Sequence, residues 1–241
     1  MDATPETFQA LARSSPWRWS SAHLSRTDAE GTVEAWIRRP GWMRVRDPRQ
    51  GEQVVVGAPY SSTLMTAYPE GWDGPRRRPT QVIGRPPQDA EPLWRDDGLV
   101  AVRPEAWDLQ YGDPMWGSYQ WVAMLDPVEL SHGVRVDDVR AAVREGRATW
   151  TARLVPEPDY DPTCGCCALL RSEISDRLEN DDDWVPPAGS TYPWAYDVGL
   201  DVESGIAVFV RAIGVPAPDT TYEVSLHELE VARNQSGSGG V

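Results

Sequence analysis

Residues 17–56 read WRWSSAHLSRTDAEGTVEAWIRRPGWMRVRDPRQGEQVVV. Polar and apolar side chains alternate through this stretch, and turn signals at Asp28–Gly31 and Pro40–Gly41 interrupt it about every ten residues. Period-2 alternation broken by such turns is the mark of an antiparallel meander. In the first strand Trp17, Trp19 and His23 are expected on one face. In the second, Val33, Ala35 and Ile37 oppose Glu34, Trp36 and Arg38. In the third, Met43 and Val45 oppose Trp42, Arg44 and Arg46. A fourth strand is expected over Gln53–Val56. Arg38, Arg44 and Arg46 then share a solvated outer face.

A second β-rich block, Ala195–Val231, closes the chain. Tyr196, Val198 and Leu200 alternate cleanly, as do Tyr222, Val224 and Leu226. Before the first strand, Thr4 is placed to cap a short helix with Pro5 at its first position and Phe8, Leu11 and Ala12 on one face. Ser118–Leu125 predicts a second helix, with Trp121, Met124 and Leu125 on one side. Residues 134–155 predict a hairpin turning at Glu145–Gly146. Ala168–Leu178 predicts a third helix from the spacing of Leu169, Leu170, Ile174 and Leu178. Residues 57–95, dense in Pro and Gly, predict a long loop in which Arg76–Arg78 form a solvated tip or, as the lesser reading, an anion grip, and Gly98–Arg103 is a short strand candidate. The fold class expected is α+β, one domain over residues 1–232 with a disordered tail at 233–241.

The 241 residues carry a formal net charge of −14, and all 23 basic residues are Arg. That acidity speaks against nucleic acid as a partner, because phosphates would be repelled. No segment reaches the length of a membrane helix, and the N-terminus has no signal-peptide pattern, so a soluble cytoplasmic protein is expected. Twelve Trp against two Phe imply core and interface filling, or an aromatic-lined pocket.

The order of elements resembles the lipoprotein-carrier superfamily of LolA-like and RseB-like half-barrels. WRWSSAHLSRT with VEAWIRRPGWMRV is similar to its opening strands. Gly146–Arg147 before ATWTARLVP looks like its "GR, strand, Pro" element, and YDVGLDVESGIAVFVRAIG like its late hairpin. The resemblance implies a strongly curved antiparallel sheet, a half-barrel, with short helices covering its concave face. It further implies a binding protein that holds an apolar small molecule or acyl chain there, lined by Trp19, Trp36 and Val198 under a lid at Trp121 and Met124. Two alternatives stand beside it: a pathway enzyme using the same cavity, and an acidic interaction or inhibitor protein that masks a protein partner.

The strongest local signal is Cys164-x-Cys166-Cys167, which holds the only cysteines of the chain. Three thiolates could hold zinc with a fourth ligand, a His or a carboxylate, from elsewhere. A helix directly after them would lower their pKa. The competing readings are packing of Cys167 with Leu170 and Ile174, and a redox or disulfide role. No cofactor other than zinc is implied. His23, His132 and His227 belong to no nucleophile motif, and the acids Asp159, Asp161 and Asp181–Asp183 lack the spacing of a Ca²⁺ loop.

Overall fold

A computed structural model describes residues 2–57, 61–64, 68, 72–75, 78, 80–83, 86–104, 113–180 and 184–232. The expected tail at 233–241, the acidic run Asp181–Asp183, and Arg76 and Arg77 of the loop tip lie outside the described residues.

The first helix, α1 (Pro5–Ala12), begins as its sequence dictates. The Thr4 hydroxyl accepts from the Thr7 amide, the Thr7 hydroxyl accepts from the Thr4 amide, and Pro5 fills the first position. Phe8 and Leu11 are fully buried. The chain does not enter the first strand at Trp17. Pro16 instead sits in a 3-10 turn, Ser15–Trp17, and β1 runs Trp19–Asp28. The strands β2 (Gly31–Arg38), β3 (Trp42–Asp47) and β4 (Gly51–Val56) follow as a meander. The structure adds strands to the expected loop: β5 (Ser61–Leu64) pairs with β6 (Thr80–Ile83), and β7 (Leu93–Trp94) pairs with β8 (Val100–Val102), which lies within the strand expected at Gly98–Arg103. Then come α2 (Gln120–Leu125), a 3-10 turn at Val128–Ser131, β9 (Val134–Arg144), β10 (Arg147–Pro156), α3 (Glu173–Leu178), β11 (Ala195–Asp201), β12 (Ala207–Ile213) and β13 (Tyr222–Val231).

Nine strands form one antiparallel sheet in the order β4-β3-β2-β1-β13-β12-β11-β10-β9, so strands of both alternating blocks share it. The last strand pairs with the first, through nine residue pairs from Trp19↔Val231 to Asp28↔Tyr222. Ser20 is an extra residue in that ladder, between Trp19↔Val231 and Ser21↔Glu230. Such a bulge inverts the alternation. Trp19 therefore turns inward with Ala22 and Leu24, away from His23, with which strict period 2 had placed it.

The half-barrel expectation is overturned. Among the described residues the edge strands β4 and β9 have no further ladder partner, and the sheet is neither closed nor strongly curved. The reason lies on its covered face, where α1 packs over β9–β11 and α2 over β12. Phe8, Leu11, Trp19, Leu24, Met124, Leu125, Val198 and Leu200 are all fully buried there. Side chains fill the space that a ligand was expected to take. The resemblance to the carrier superfamily, and with it the acyl-binding function, is withdrawn on this geometry.

Candidate metal centre

Beyond Pro156 the chain leaves the sheet, and residues 157–172 carry it to α3. The exit is tight. The Glu157 amide donates to the Gly133 carbonyl at 2.9 Å, and the Tyr160 amide to the Glu157 carbonyl at 2.8 Å. Gly133 has φ +60°, and a Cβ there would lie 2.4 Å from the Asp159 carbonyl oxygen, so only glycine serves. Tyr160 then turns inward and is 1% exposed.

The cysteines follow in a one-turn 3-10 helix, Gly165–Cys167, closed by the Cys167 amide donating to the Cys164 carbonyl at 3.3 Å. Directly after it, Ala168, Leu169 and Leu170 are buried in the core. They are not helical. The helix α3 starts only at Glu173, where Ser172 and Ser175 form a capping box. The expected helix over 168–178 is thus cut to its second half. The N-terminus of α3 therefore does not lie at the thiols.

The three sulfurs converge. Cys164 Sγ and Cys166 Sγ are 3.3 Å apart, Cys166 Sγ and Cys167 Sγ 3.6 Å, and all three lie within 4.8 Å of one another. They form the only group of three or more potential metal ligands among the described residues. None is in a disulfide. Cys166 is exposed, and the other two are half-buried. Hydrogen bonds to Cys164 and Cys167, with some burial, push the Cys166 thiol up to about 12. Burial leads in raising Cys164. Repulsion from the neighbouring sulfurs adds to the rise at Cys164 and Cys166, and a cation between them would remove it.

A carboxylate stands at the rim. Glu179, the C-cap of α3, accepts a long hydrogen bond from the Cys166 amide, 3.4 Å to Oε2. This approach depends on Gly165, where a Cβ would fall 2.5 Å from the Ser175 carbonyl oxygen and 3.0 Å from Glu179 Oε2. Cys166 and Glu179 also border an open cleft of about 490 Å³, whose other walls include Arg171, Asp176, Trp184 and Tyr192. Arg171 and the Tyr192 hydroxyl are both bonded to Asp176, at 3.1 and 2.8 Å. Of the three cysteines, Cys166 is the one that faces this cleft.

Beneath the loop lies a residue with no signal in the sequence. Glu129, in the turn before β9, is 1% exposed. Its Oε1 accepts from the Tyr160 hydroxyl at 2.5 Å and the Leu169 amide at 2.7 Å, and the Leu170 amide donates to the Tyr160 oxygen at 3.3 Å. Burial pushes Glu129 up to about 7, against the pull of Tyr160 and of the Leu169 and Thr163 backbone.

The remaining residues singled out in the sequence are scattered. Trp19, Met124 and Val198 are fully buried and Trp121 is 4% exposed, all in the core. Trp36 lies on the opposite, open face of the sheet. There it stacks on His23 at 4.6 Å with Arg44 4.2 Å from its ring centre, so its neighbours occupy it. His227 is nearby, bonded to Ser25 at 2.7 Å, while His132 lies in another region, beside Ser131. No helix among the described residues is long and apolar enough to cross a membrane. No family model and no curated protein matches the chain.

Proposed function

We propose that this chain is a metal-binding protein whose Cys164, Cys166 and Cys167 hold a soft cation, zinc first. The observation that carries the reading is the convergence of three unoxidised sulfurs within 4.8 Å. Thiolates select zinc and copper(I) over hard cations, and a carboxylate as fourth ligand favours zinc. Glu179 is the nearest candidate, since it already touches the Cys166 amide. Glu179, turned from the amide toward the sulfurs, would be the fourth ligand of a four-coordinate site, or water or a ligand from the cleft would take that position.

Binding must displace thiol protons, most of all from Cys166. Affinity therefore rises with pH, while the energy gained ties the loop to α3.

The test is titration with cobalt(II), followed by displacement with zinc. One equivalent with thiolate-to-cobalt charge-transfer absorption is expected, lost in Cys166→Ser and in Cys164→Ser. Less than about a tenth of an equivalent bound to reduced protein at pH 8 rules the reading out.

A further inference from the structure

Buried charge in this protein is answered by charge almost everywhere. Arg39 meets Asp113 at 2.6 Å, and Asp201 meets Arg147 at 2.7 Å. Glu129 stands apart. Its Oε2 is buried without a hydrogen bond, and no cation is among the groups that act on it. A carboxyl placed this way is costly unless its bonds secure something. Its bonds all run to one segment. Tyr160 lies four residues before Cys164, Leu169 lies two after Cys167, and Leu170 is tied in through the Tyr160 hydroxyl.

We infer that Glu129 is the positioning residue of the cysteine turn, clamping both of its ends so that the three sulfurs converge before any ion arrives; the purpose of the clamp rests on the metal-binding reading above. The turn has little of its own to hold it: a single 3-10 turn with one closing bond, resting on α3 through Gly165 and one long bond from the Cys166 amide to Glu179. Tyr160 and the Ala168–Leu170 segment are its anchors in the core, and Glu129 Oε1 joins them at a single atom. Removing that atom frees both ends of the turn together, so the sulfurs lose their mutual geometry even where the sheet survives. Groups behind metal ligands that fix their orientation commonly change affinity by about 10–100-fold.

The experiment compares wild type with Glu129→Leu, Glu129→Gln and Tyr160→Phe. Cobalt(II) affinity is measured, together with the rate at which the thiols of metal-free protein react with a disulfide reagent, and far-ultraviolet circular dichroism monitors the sheet. E129L should weaken cobalt binding by about tenfold or more and speed thiol reaction by a similar factor. E129Q, which keeps an oxygen for Tyr160 and Leu169, should recover most of both. Y160F should fall between, and it carries the test if E129L does not fold. Cobalt affinity and thiol reactivity within twofold of wild type in E129L and Y160F overturn the inference, as does failure of E129Q to rescue. If wild type binds no cobalt, the metal reading falls, and the thiol rates alone decide whether Glu129 positions the turn.

Discussion

At the scale of single residues, stability concentrates on a few buried polar groups. Arg39 is the clearest. Its guanidinium stacks 3.5 Å from the Trp19 ring centre, holds Asp113 with two bonds and donates to the Ser15 carbonyl at 2.7 Å. Arg39→Met should cost about 3–5 kcal/mol in urea unfolding, because Asp113 is left buried without a partner. The double variant with Asp113→Leu should recover much of that loss, which separates an unpaired charge from lost packing. Glu129 predicts the opposite sign. Its folded pKa is about 7, raised from an unfolded value of 4.5. Its contribution is therefore fully present below pH 4.5 and is lost as pH rises through 7. The melting temperature of wild type minus that of E129Q should fall by several degrees, roughly, between pH 4.5 and pH 8 in metal-free protein. A flat difference would show that Glu129 titrates normally. Neither residue was legible in advance. Arg39 reads as part of a basic turn and Glu129 as a lone acid in a loop, and only the fold shows them buried.

At the scale of elements, local rules hold where one principle acts alone. Thr4-Pro5 starts α1, Glu145–Gly146 turns β9 into β10, and alternation marks β2, β3, β11 and β13. They fail where two compete. Ser20 inverts the face of Trp19, since one inserted residue reverses every side chain before it. Leu169, Leu170 and Ile174 keep helical spacing, yet the first two are buried because their amides dock on Glu129 and Tyr160. Ser172 was the better sign of where α3 begins, since a serine followed three residues on by a hydroxyl partner can cap a helix. The cysteine turn is the element in which packing and chemistry meet most closely. Gly165→Ala would drive a Cβ into the Ser175 carbonyl and Glu179. It should push the turn off α3 and weaken cobalt binding by about tenfold or more, while thermal unfolding of the sheet changes little. Equal affinity for G165A and wild type would show that contact with α3 is irrelevant to the site.

At the scale of the whole molecule, alternation reports strands but not how far a sheet bends or what covers it. What covers the face comes partly from α1 and α2, which are far in sequence from the strands they pack on, β9–β11 and β12. What the sheet order does show is an unequal join. The strands β1–β4 form one run, β9–β12 another, and β13 lies between them. It shares nine residue pairs with β1 but only two with β12, Phe209↔Glu223 and Val210↔Tyr222. Side chains reinforce the short side. Glu223 takes Arg211 of β12 and Arg144 of β9, and Arg26 of β1 lies between the Tyr222 and Trp121 rings, at 4.6 and 5.3 Å. The two arginine pairs at Glu223 are substantially exposed, so they contribute little, about 0–1 kcal/mol each. The packing of Arg26 against Tyr222 and Trp121 ties β13 to α2, which in turn contacts β12. Trp121→Ala should accordingly loosen the β12–β13 join before it loosens β1–β13, and Glu223→Ala should do so only slightly. Amide hydrogen exchange gives the measurement. In W121A, the amides on β12 and β13 that bridge the two strands should exchange faster by an order of magnitude or more, while those pairing β1 with β13 through Ala22–Arg26 stay near wild-type rates. Uniform acceleration across all nine strands would mean that the sheet opens as a single unit and that the short ladder is no weaker than its neighbours.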